Sequence, residues 1–257
     1  MIVFFDIGST LITGPRQGPA SRLAHRLGLT NAMKGALHRY LLTQRITSPQ
    51  VLIAYLENHC GVGRAEAALA VANLWRSQEV EAEALPGALE VFLAIRAAGV
   101  RVGLISNIWR PYQHGARRVL PSIFSGPLAA HPRVFSYKIG IMKPDVGIYR
   151  YALAAAGEPA RNAVMIGDSY RNDIAPALSI GIRTVWLLHR PTAESTEIRS
   201  VLAGRLPIPD HVCRSIDQVK PVVITELIRA PGGSARDGSL RLQQLRELQA
   251  GFAEERV

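Results

Sequence analysis

Hydrophobic and polar positions change their spacing along this chain, and the change predicts two kinds of structure. The first apolar run, residues 2–5, is short and β-rich and ends at Asp6, which predicts a buried strand. A group of glycines and prolines follows at residues 14–19. From there to about residue 82 the apolar positions recur at helical spacing, as in "PQVLIAYLENH" and "RAEAALAVANLWRSQEVEAEA", and no strand pattern interrupts them. This pattern predicts an all-helical insert after the first strand.

From residue 85 onward, strand and helix patterns alternate. The runs "VRVGLIS", "NAVMIGDS" and "IRTVWLL" are β-rich, and helical stretches such as "LPGALEVFLAIRAAG" accompany them. Strands that alternate with helices predict an α/β core with a doubly wound parallel sheet, Rossmann-like, with helices on both faces. We predict a core from residues 1–13 and 85–228, an inserted α-helical cap from residues 14–84, and a flexible linker and tail at residues 229–257.

Several stretches of the core receive more specific predictions. Residues 145–157 and 170–181 have helical patterns. Residues 107–133 are rich in proline and glycine and predict loops around one helix near residues 110–120. Residues 210–228 predict a last short strand and helix.

The net charge of +10 favours anionic partners, and its distribution is uneven. Residues 7–56 and 91–143 contain no Asp or Glu, although they hold six and eight of the 30 Lys and Arg residues. These basic residues either form solvated faces or line one anionic site. If the two segments flank one pocket, they predict an anionic small-molecule substrate larger than a simple monophosphate. The candidates for binding it are Arg16, Arg22, Arg39, Arg110, Arg117 and Arg118.

Composition narrows the remaining classes of protein. No run of about 18 uncharged apolar residues occurs, so we expect no membrane span. Cys60 and Cys213 have no C-x-x-C spacing, which argues against a disulfide scaffold or a zinc cluster and fits a reducing cytoplasm. Basic residues interleaved with aromatics are lacking, so we expect only nonspecific attraction to nucleic acid. We therefore expect a cytoplasmic protein, monomeric or homodimeric.

Polar residues follow the predicted strands at the points where parallel sheets bind their ligands. They are Asp6, Ser106 with Asn107, Lys143 in a loop of its own, and Asp168 with Asp173. Each has an ordinary structural explanation, such as a helix cap or an exposed lysine. Together they suit phosphoryl transfer, because a carboxylate attacks phosphorus only when a cation screens the repulsion between the two anions.

The segments "FFDIGSTL", "VGLISN", "GIMKPDVGIY" and "MIGDSYRND", in this order, resemble the motifs of the haloacid dehalogenase (HAD) superfamily, in the arrangement with a helical cap inserted after the first strand. The resemblance covers roughly residues 1–228. It implies a hydrolase, and among hydrolases it favours a Mg²⁺-dependent phosphatase in which Asp6 forms an aspartyl-phosphate. The other site residues that it implies are Ser106, Asn107 and Lys143 for the transferring oxygens, and Asp6, Gly8 through its carbonyl, Asp168 and Asp173 for Mg²⁺.

One position departs from the superfamily's phosphatase pattern. These enzymes usually read D-x-D, and the second Asp protonates the leaving oxygen, whereas this chain has Gly8 there. General acid-base catalysis is worth about 10²–10⁴ in rate, so the loss matters. The proton could come from water or from the cap, where His25 and His38 are the candidates, or the substrate could have a good leaving group.

Two other functions stay open at this point. Dehalogenases of the superfamily also lack the second Asp, because a halide leaves without a proton. They generally lack the G-D pair as well, so Asp168 and Asp173 favour phosphate. The other alternative is a catalytically weak member that acts as a binding or regulatory module. Mg²⁺-dependent turnover separates the three, because a module shows none and a dehalogenase needs no metal.

Overall fold

The computed structural model describes residues 1–14, 17–223, 242, 243 and 245–247. Its strands, in chain order, are β1 (Ile2–Phe5), β2 (Ile12–Thr13), β3 (Glu83–Ala84), β4 (Arg101–Ser106), β5 (Arg133–Phe135), β6 (Ala163–Gly167), β7 (Arg183–Leu187) and β8 (His211–Cys213). Its helices are α1 (Pro19–Arg26), α2 (Asn31–Thr43), α3 (Pro49–Cys60), α4 (Arg64–Val80), α5 (Ala88–Ala97), α6 (Arg110–Val119), α7 (Pro121–Phe124), α8 (Ser136–Ile139), α9 (Gly147–Ala156), α10 (Ala175–Ser179), α11 (Ser195–Leu202) and α12 (Val219–Pro221).

Six parallel strands form the central sheet, in the order β5-β4-β1-β6-β7-β8. Alternate residues of β1 point to opposite faces: Val3 packs in one hydrophobic cluster with Phe92 of α5, and Phe4 packs in another with Tyr149 of α9. A strand covered by helices on both faces has no polar side, which is why residues 2–5 are a continuous apolar run. The predicted α/β fold with a doubly wound parallel sheet is confirmed.

The order of the strands determines where a ligand binds. β1 lies between β4 and β6, and Phe5 is in register with Leu104 on one side and Ile166 on the other. The chain builds the sheet outward from β1 in one direction and then crosses to the other side. Such a reversal leaves a crevice beyond the carboxyl ends of the two adjoining strands. Asp6 is the first residue after β1 and therefore lies at this crevice.

Four helices, α1–α4, lie between β2 and β3, and we call them the cap helices. The chain leaves the core through β2 and returns through β3, and the two strands pair antiparallel, Ile12 opposite Ala84. The cap helices share a buried cluster of their own, which includes Leu23, Leu41, Leu56 and Val71. Trp109, which follows β4 in the core, packs in the same cluster. The division into separate domains at residues 14–84 stays a prediction.

Some element boundaries differ from the sequence predictions. The helix predicted over residues 145–157 begins only at Gly147, because the Asp145 carboxylate accepts a hydrogen bond from the Gly147 amide at 2.8 Å and occupies the turn before the helix. The stretch predicted as one helix at 170–181 is a π-helical turn, Tyr170–Ile174, followed by α10. Most of the predicted linker and tail at 229–257 lies outside the described residues. Within the described part of the chain, no helix is long and apolar enough to cross a bilayer.

Candidate active site

Asp6 is held at the crevice by a tight turn after β1. The Asp6 side chain is almost fully buried, and its backbone amide continues the sheet by donating to Ile166 at 2.9 Å. The carbonyl of Ile7 then accepts hydrogen bonds from three amides farther along the turn. Ser9 takes a left-handed conformation with φ of 56°, and His189 Nε2 lies 2.6 Å from the Ser9 carbonyl oxygen. A strained backbone of this kind persists only when its surroundings hold it, so the turn is a defined feature of the site.

Lys143 joins two of the predicted aspartates. Its Nζ lies 2.6 Å from Asp6 Oδ1, 2.6 Å from Asp173 Oδ1 and 3.3 Å from the carbonyl oxygen of Ile105. The lysine is only 2% exposed. Burial alone would lower the pKa of Lys143, but Asp173 and Asp6 outweigh it and raise that pKa above its ordinary value. Lys143 therefore stays charged and neutralises part of the carboxylate charge around it.

Asn107 fixes the loop that carries Lys143. Its Oδ1 accepts from the Lys143 amide at 2.7 Å, and its Nδ2 donates to the Lys143 carbonyl at 2.8 Å. The amide thus binds the backbone of the lysine with both ends. Ser106 is 1% exposed at the end of β4 and does not line the cavity described below, whereas Asn107 does.

Asp168 and Asp173 complete a cluster with Asp6, in which one carboxylate oxygen from each lies within 4.8 Å of the others. Burial, with the charge of Asp6, raises the pKa of Asp168 to about 7, although Arg190 opposes the shift. Burial likewise raises the pKa of Asp173 to about 7 against the attraction of Lys143. Three carboxylates therefore crowd together, and the charges of Lys143 and Arg190 balance two of them. Clustered hard oxygen donors with excess negative charge fit Mg²⁺, so the residues present suit the metal that the resemblance implies.

Gly167 allows Asp173 to reach this position. A Cβ atom at Gly167 would lie 2.3 Å from the carboxyl carbon of Asp173. Only glycine leaves that space, because real Cβ atoms do not approach so closely. The other oxygen of Asp173, Oδ2, accepts from the Ser169 amide at 3.1 Å, so both oxygens of this carboxylate have partners.

A cavity of about 610 Å³ opens onto these side chains. The core lines it with Asp6, Gly8, Asn107, Lys143, Asp168 and Asp173. The cap helices contribute His38 and Leu42 from α2 and Gln78 from α4. His25, the other imidazole considered as a proton donor, is exposed and does not line the cavity.

The sequence analysis did not predict several of the cavity residues, among them Tyr112, Trp109, Gln78, Arg190 and Glu194. Arg190 forms an ion pair with Asp168. It follows β7 just as Asp6 follows β1, so the rule of strand ends would have found it. Glu194 accepts from the Tyr170 amide at 2.7 Å, and burial raises its pKa to about 7. Trp109 follows β4 as closely as Arg190 follows β7, so the same rule points to it as well, whereas no sequence signal marked Tyr112 and Gln78.

Three of the arginines predicted to bind the substrate, Arg22, Arg110 and Arg118, contact other parts of the chain. Arg22 pairs with Glu81 at 2.7 Å, and Arg110 donates to the Thr47 carbonyl at 3.0 Å. Arg118 donates to carbonyls at the end of α4 and just beyond it. None of the five described candidates, Arg22, Arg39, Arg110, Arg117 and Arg118, lines the cavity, and Arg16 lies outside the described residues. Lys143 and Arg190 are the Lys and Arg residues among the described cavity residues.

Residues 1–181 match the family model of a haloacid dehalogenase-like hydrolase. The chain belongs to this family. It is 35% identical over 106 residues to the pyrimidine 5'-nucleotidase YjjG of Escherichia coli (strain K12), and the aligned residues cover 40% of this chain and 44% of that protein. It is 31% identical over 104 residues to the glyceraldehyde 3-phosphate phosphatase of Pyrococcus abyssi (strain GE5 / Orsay), and the aligned residues cover 40% of this chain and 41% of that protein. The matches span less than half the length of these two relatives.

Solved structures of HAD-like proteins share the fold. A 2-haloacid dehalogenase from Pseudomonas syringae pv. Tomato DC3000 superposes with a TM-score of 0.57 at 23% identity, over 86% of this chain and 97% of that one. At this identity the similarity shows the fold alone. The chemistry of this HAD-like hydrolase has to be argued from its own site.

Proposed function

We propose that this HAD-like hydrolase is a Mg²⁺-dependent phosphatase that cleaves a phosphomonoester through an aspartyl-phosphate on Asp6. The observation that carries the proposal is the cluster of Asp6, Asp168 and Asp173 around Lys143. A carboxylate that displaces a halide from carbon needs no further carboxylates beside it. A carboxylate that attacks phosphorus is repelled by the negative charge of the phosphate, so it needs a cation bound nearby. The names of the two relatives, a nucleotidase and a phosphatase, support the same reaction.

In the proposed reaction, an oxygen of Asp6 forms a bond to phosphorus while the ester P–O bond breaks on the opposite side. The Lys143 ammonium group, 2.6 Å from Asp6 Oδ1, orients the carboxylate and offsets the charge of the transferring oxygens. Asn107 keeps Lys143 in place through its backbone. Water then hydrolyses the acyl phosphate, which releases phosphate and restores Asp6.

Asp6, Asp168 and the carbonyl of Gly8 would hold the metal in this proposal. Bound Mg²⁺ would supply the positive charge that screens the attacking carboxylate from the phosphate. Asp173 has both oxygens engaged, one with Lys143 and one with the Ser169 amide, so its proposed role is to position the lysine and the loop after β6.

The missing acid at Gly8 favours a substrate whose leaving group needs little protonation. His38 is the cap imidazole at the cavity, but burial lowers its pKa below the ordinary 6.5, so at neutral pH it carries little of the proton that an acid must donate. Aryl, enol and acyl phosphates have leaving groups of low basicity and depend least on general acid catalysis. We therefore propose that the substrate belongs to one of these classes.

Release of phosphate with and without Mg²⁺ tests the function. With 4-nitrophenyl phosphate we expect metal-dependent release that Asp6→Asn lowers by at least about 10³-fold, because the nucleophile is lost. Asp145→Asn is the matched control, since this Asp lies in the turn before α9 and does not line the cavity. Halide release from a 2-haloacid without metal would support the dehalogenase alternative instead. Turnover of neither substrate would support a binding or regulatory module.

A further inference from the structure

Gln78 is a buried amide in the wall of the cavity with one end paired and the other unpaired. It lies near the end of α4 and is 2% exposed. Its Oε1 accepts a hydrogen bond from Trp109 Nε1 at 2.8 Å. An indole N–H can only donate, so the amide oxygen must face Trp109 and the amide nitrogen must point elsewhere. Nε2 has no hydrogen-bond partner among the described residues.

A buried donor without a partner is costly, and native structures rarely keep one. The orientation of this amide cannot be reversed to relieve the cost, because Trp109 would then face a second donor. The described chain supplies no acceptor for Nε2. Gln78 lines the cavity, so besides a bound water, a molecule in the cavity can supply the acceptor when the amide shifts toward it.

The surrounding wall indicates what kind of molecule that is. Apolar and aromatic side chains of the wall lie near Gln78: Leu42 comes from the cap, and Ile108, Trp109, Tyr112 and Met142 come from the core. The Asp, Glu, Lys and Arg residues of the described wall all belong to the core, in the connections that follow its strands. The two positive ones, Lys143 and Arg190, already pair with aspartates. Apart from the His38 imidazole and the Gln17 amide, the described cap side has no polar side chain besides Gln78 in the wall, and it has no Lys, Arg, Asp or Glu there to bind a second phosphate, a carboxylate or an ammonium group.

We propose that Gln78 is a specificity-determining residue that donates a hydrogen bond to the leaving group. It would select phosphomonoesters of an uncharged enol or phenol that has an apolar or aromatic face and carries one hydrogen-bond acceptor, such as a carbonyl. Trp109 orients the amide for this contact from the core side. The inference rests on the proposed phosphatase function and names its substrate class.

Pairs of aryl phosphates of the same shape test the proposal. Acetylphenyl phosphates carry a carbonyl acceptor, whereas isopropylphenyl phosphates do not. The meta and para isomers of each ester place the acetyl or isopropyl group at two different positions in the cavity. Each substrate is compared between the wild type and Gln78→Met, so the intrinsic reactivity of its leaving group cancels. We expect kcat/KM to fall about tenfold for at least one acetyl isomer, which is the loss of one hydrogen bond, and to stay unchanged for its isopropyl counterpart. Equal changes within both pairs would overturn the proposal.

Gln113→Met is the matched control. Gln113 also accepts from an aromatic side chain, the Tyr137 hydroxyl at 2.6 Å, but it does not line the cavity. It should leave the preference for acetyl over isopropyl substrates unchanged. If the wild type releases phosphate and Gln78→Met keeps its preference, only the assignment of Gln78 fails.

If the wild type hydrolyses none of the four esters, the proposed function fails instead. Binding of the free phenols then tests Gln78 without turnover. We expect 4-hydroxyacetophenone to raise the Tm of the wild type more than 4-isopropylphenol does, and we expect this difference to vanish in Gln78→Met. The same Tm shifts in both proteins would contradict the role of Gln78. If Gln78→Met does not fold, Trp109→Phe, which removes the donor that orients the amide, should reduce the preference in the same direction.

Discussion

The two sides of the cavity are built in different ways. On the side of the sheet, Lys143 contacts Asp6 and Asp173 at 2.6 Å each, and Asn107 holds the lysine backbone with both ends of its amide. On the side of the cap, one end of Gln78 has no partner among the described residues. The first side is organised before any substrate arrives, as electrostatic catalysis requires. In our proposal the second side is completed by the substrate, so the sheet side performs the chemistry and the cap side selects the substrate.

Gly167→Ala should break the organised side and have the largest effect. The new methyl group would lie 2.3 Å from the Asp173 carboxyl carbon, so the carboxylate has to move away from Lys143. A misplacement of about 1 Å in a catalytic group costs about 10²-fold, and we expect kcat/KM to fall by about that factor. Steady-state kinetics with 4-nitrophenyl phosphate measures it.

Gly35→Ala controls for the general effect of replacing a glycine. Gly35 lies in α2, and a methyl group there would have nothing within 4 Å of it, so activity should stay the same and stability should rise slightly. A folded Gly167→Ala protein with the activity of the wild type would show that the position of Asp173 does not matter for turnover.

Gly8→Asp should add the missing general acid to the sheet side of the cavity. The nearest heavy atom to a Cβ at Gly8 is Tyr112 Cε1 at 3.8 Å, an ordinary contact, so the side chain begins in open space. We expect kcat for an alkyl phosphate to rise about tenfold, less than the roughly 10²–10⁴ of a general acid in its native setting, with little change for an aryl phosphate. Gly8→Asn has the same shape without the proton and should give no gain. A loss of activity on both substrates in Gly8→Asp would argue against an open acid position.

Arg22→Gln should have the smallest effect, because this arginine belongs to neither side of the cavity. Its pairing with Glu81 is partly exposed, so its loss should lower the free energy of unfolding by less than about 1 kcal/mol. KM should stay within about twofold, since no contact with the substrate is lost. Chemical denaturation and kinetics measure the two quantities, and Glu81→Gln should reproduce the stability change. A tenfold rise in KM would restore the hypothesis that the basic segment binds substrate.

The sequence rule that found the catalytic candidates is topological. Asp6 and Asp168 directly follow strands, and Lys143 lies in the connection after β5. Parallel strands bring their carboxyl ends to one edge of the sheet, whatever lies between them in the sequence. The same rule applied to β7 would have found Arg190, which forms an ion pair with Asp168. Candidate residues at strand ends are therefore predictable even when 137 residues separate them in the chain, as they do Asp6 and Lys143.

Residues on helix faces followed no such rule. The helical pattern of α4 predicts that Gln78 is in a helix, but not that Trp109, 31 residues later, supplies its hydrogen-bond donor. The acid-free basic segments suggested one anionic pocket, yet Arg118 donates to carbonyls around the end of α4 and Arg110 to Thr47. The sequence shows how many charged side chains a segment contains. Their hydrogen-bond partners depend on which acceptors folding brings within reach.

The amino-acid sequence by itself determined the α/β sheet, the family resemblance and the aspartates and lysine at the strand ends, because hydrophobic periodicity and short motifs are local. The tertiary structure decided that Gly167 makes room for Asp173, that Arg22, Arg110 and Arg118 bind the chain itself, and that the Gln78 nitrogen at the cavity has no partner among the described residues. These features depend on distances between segments remote in sequence, and packing alone sets such distances.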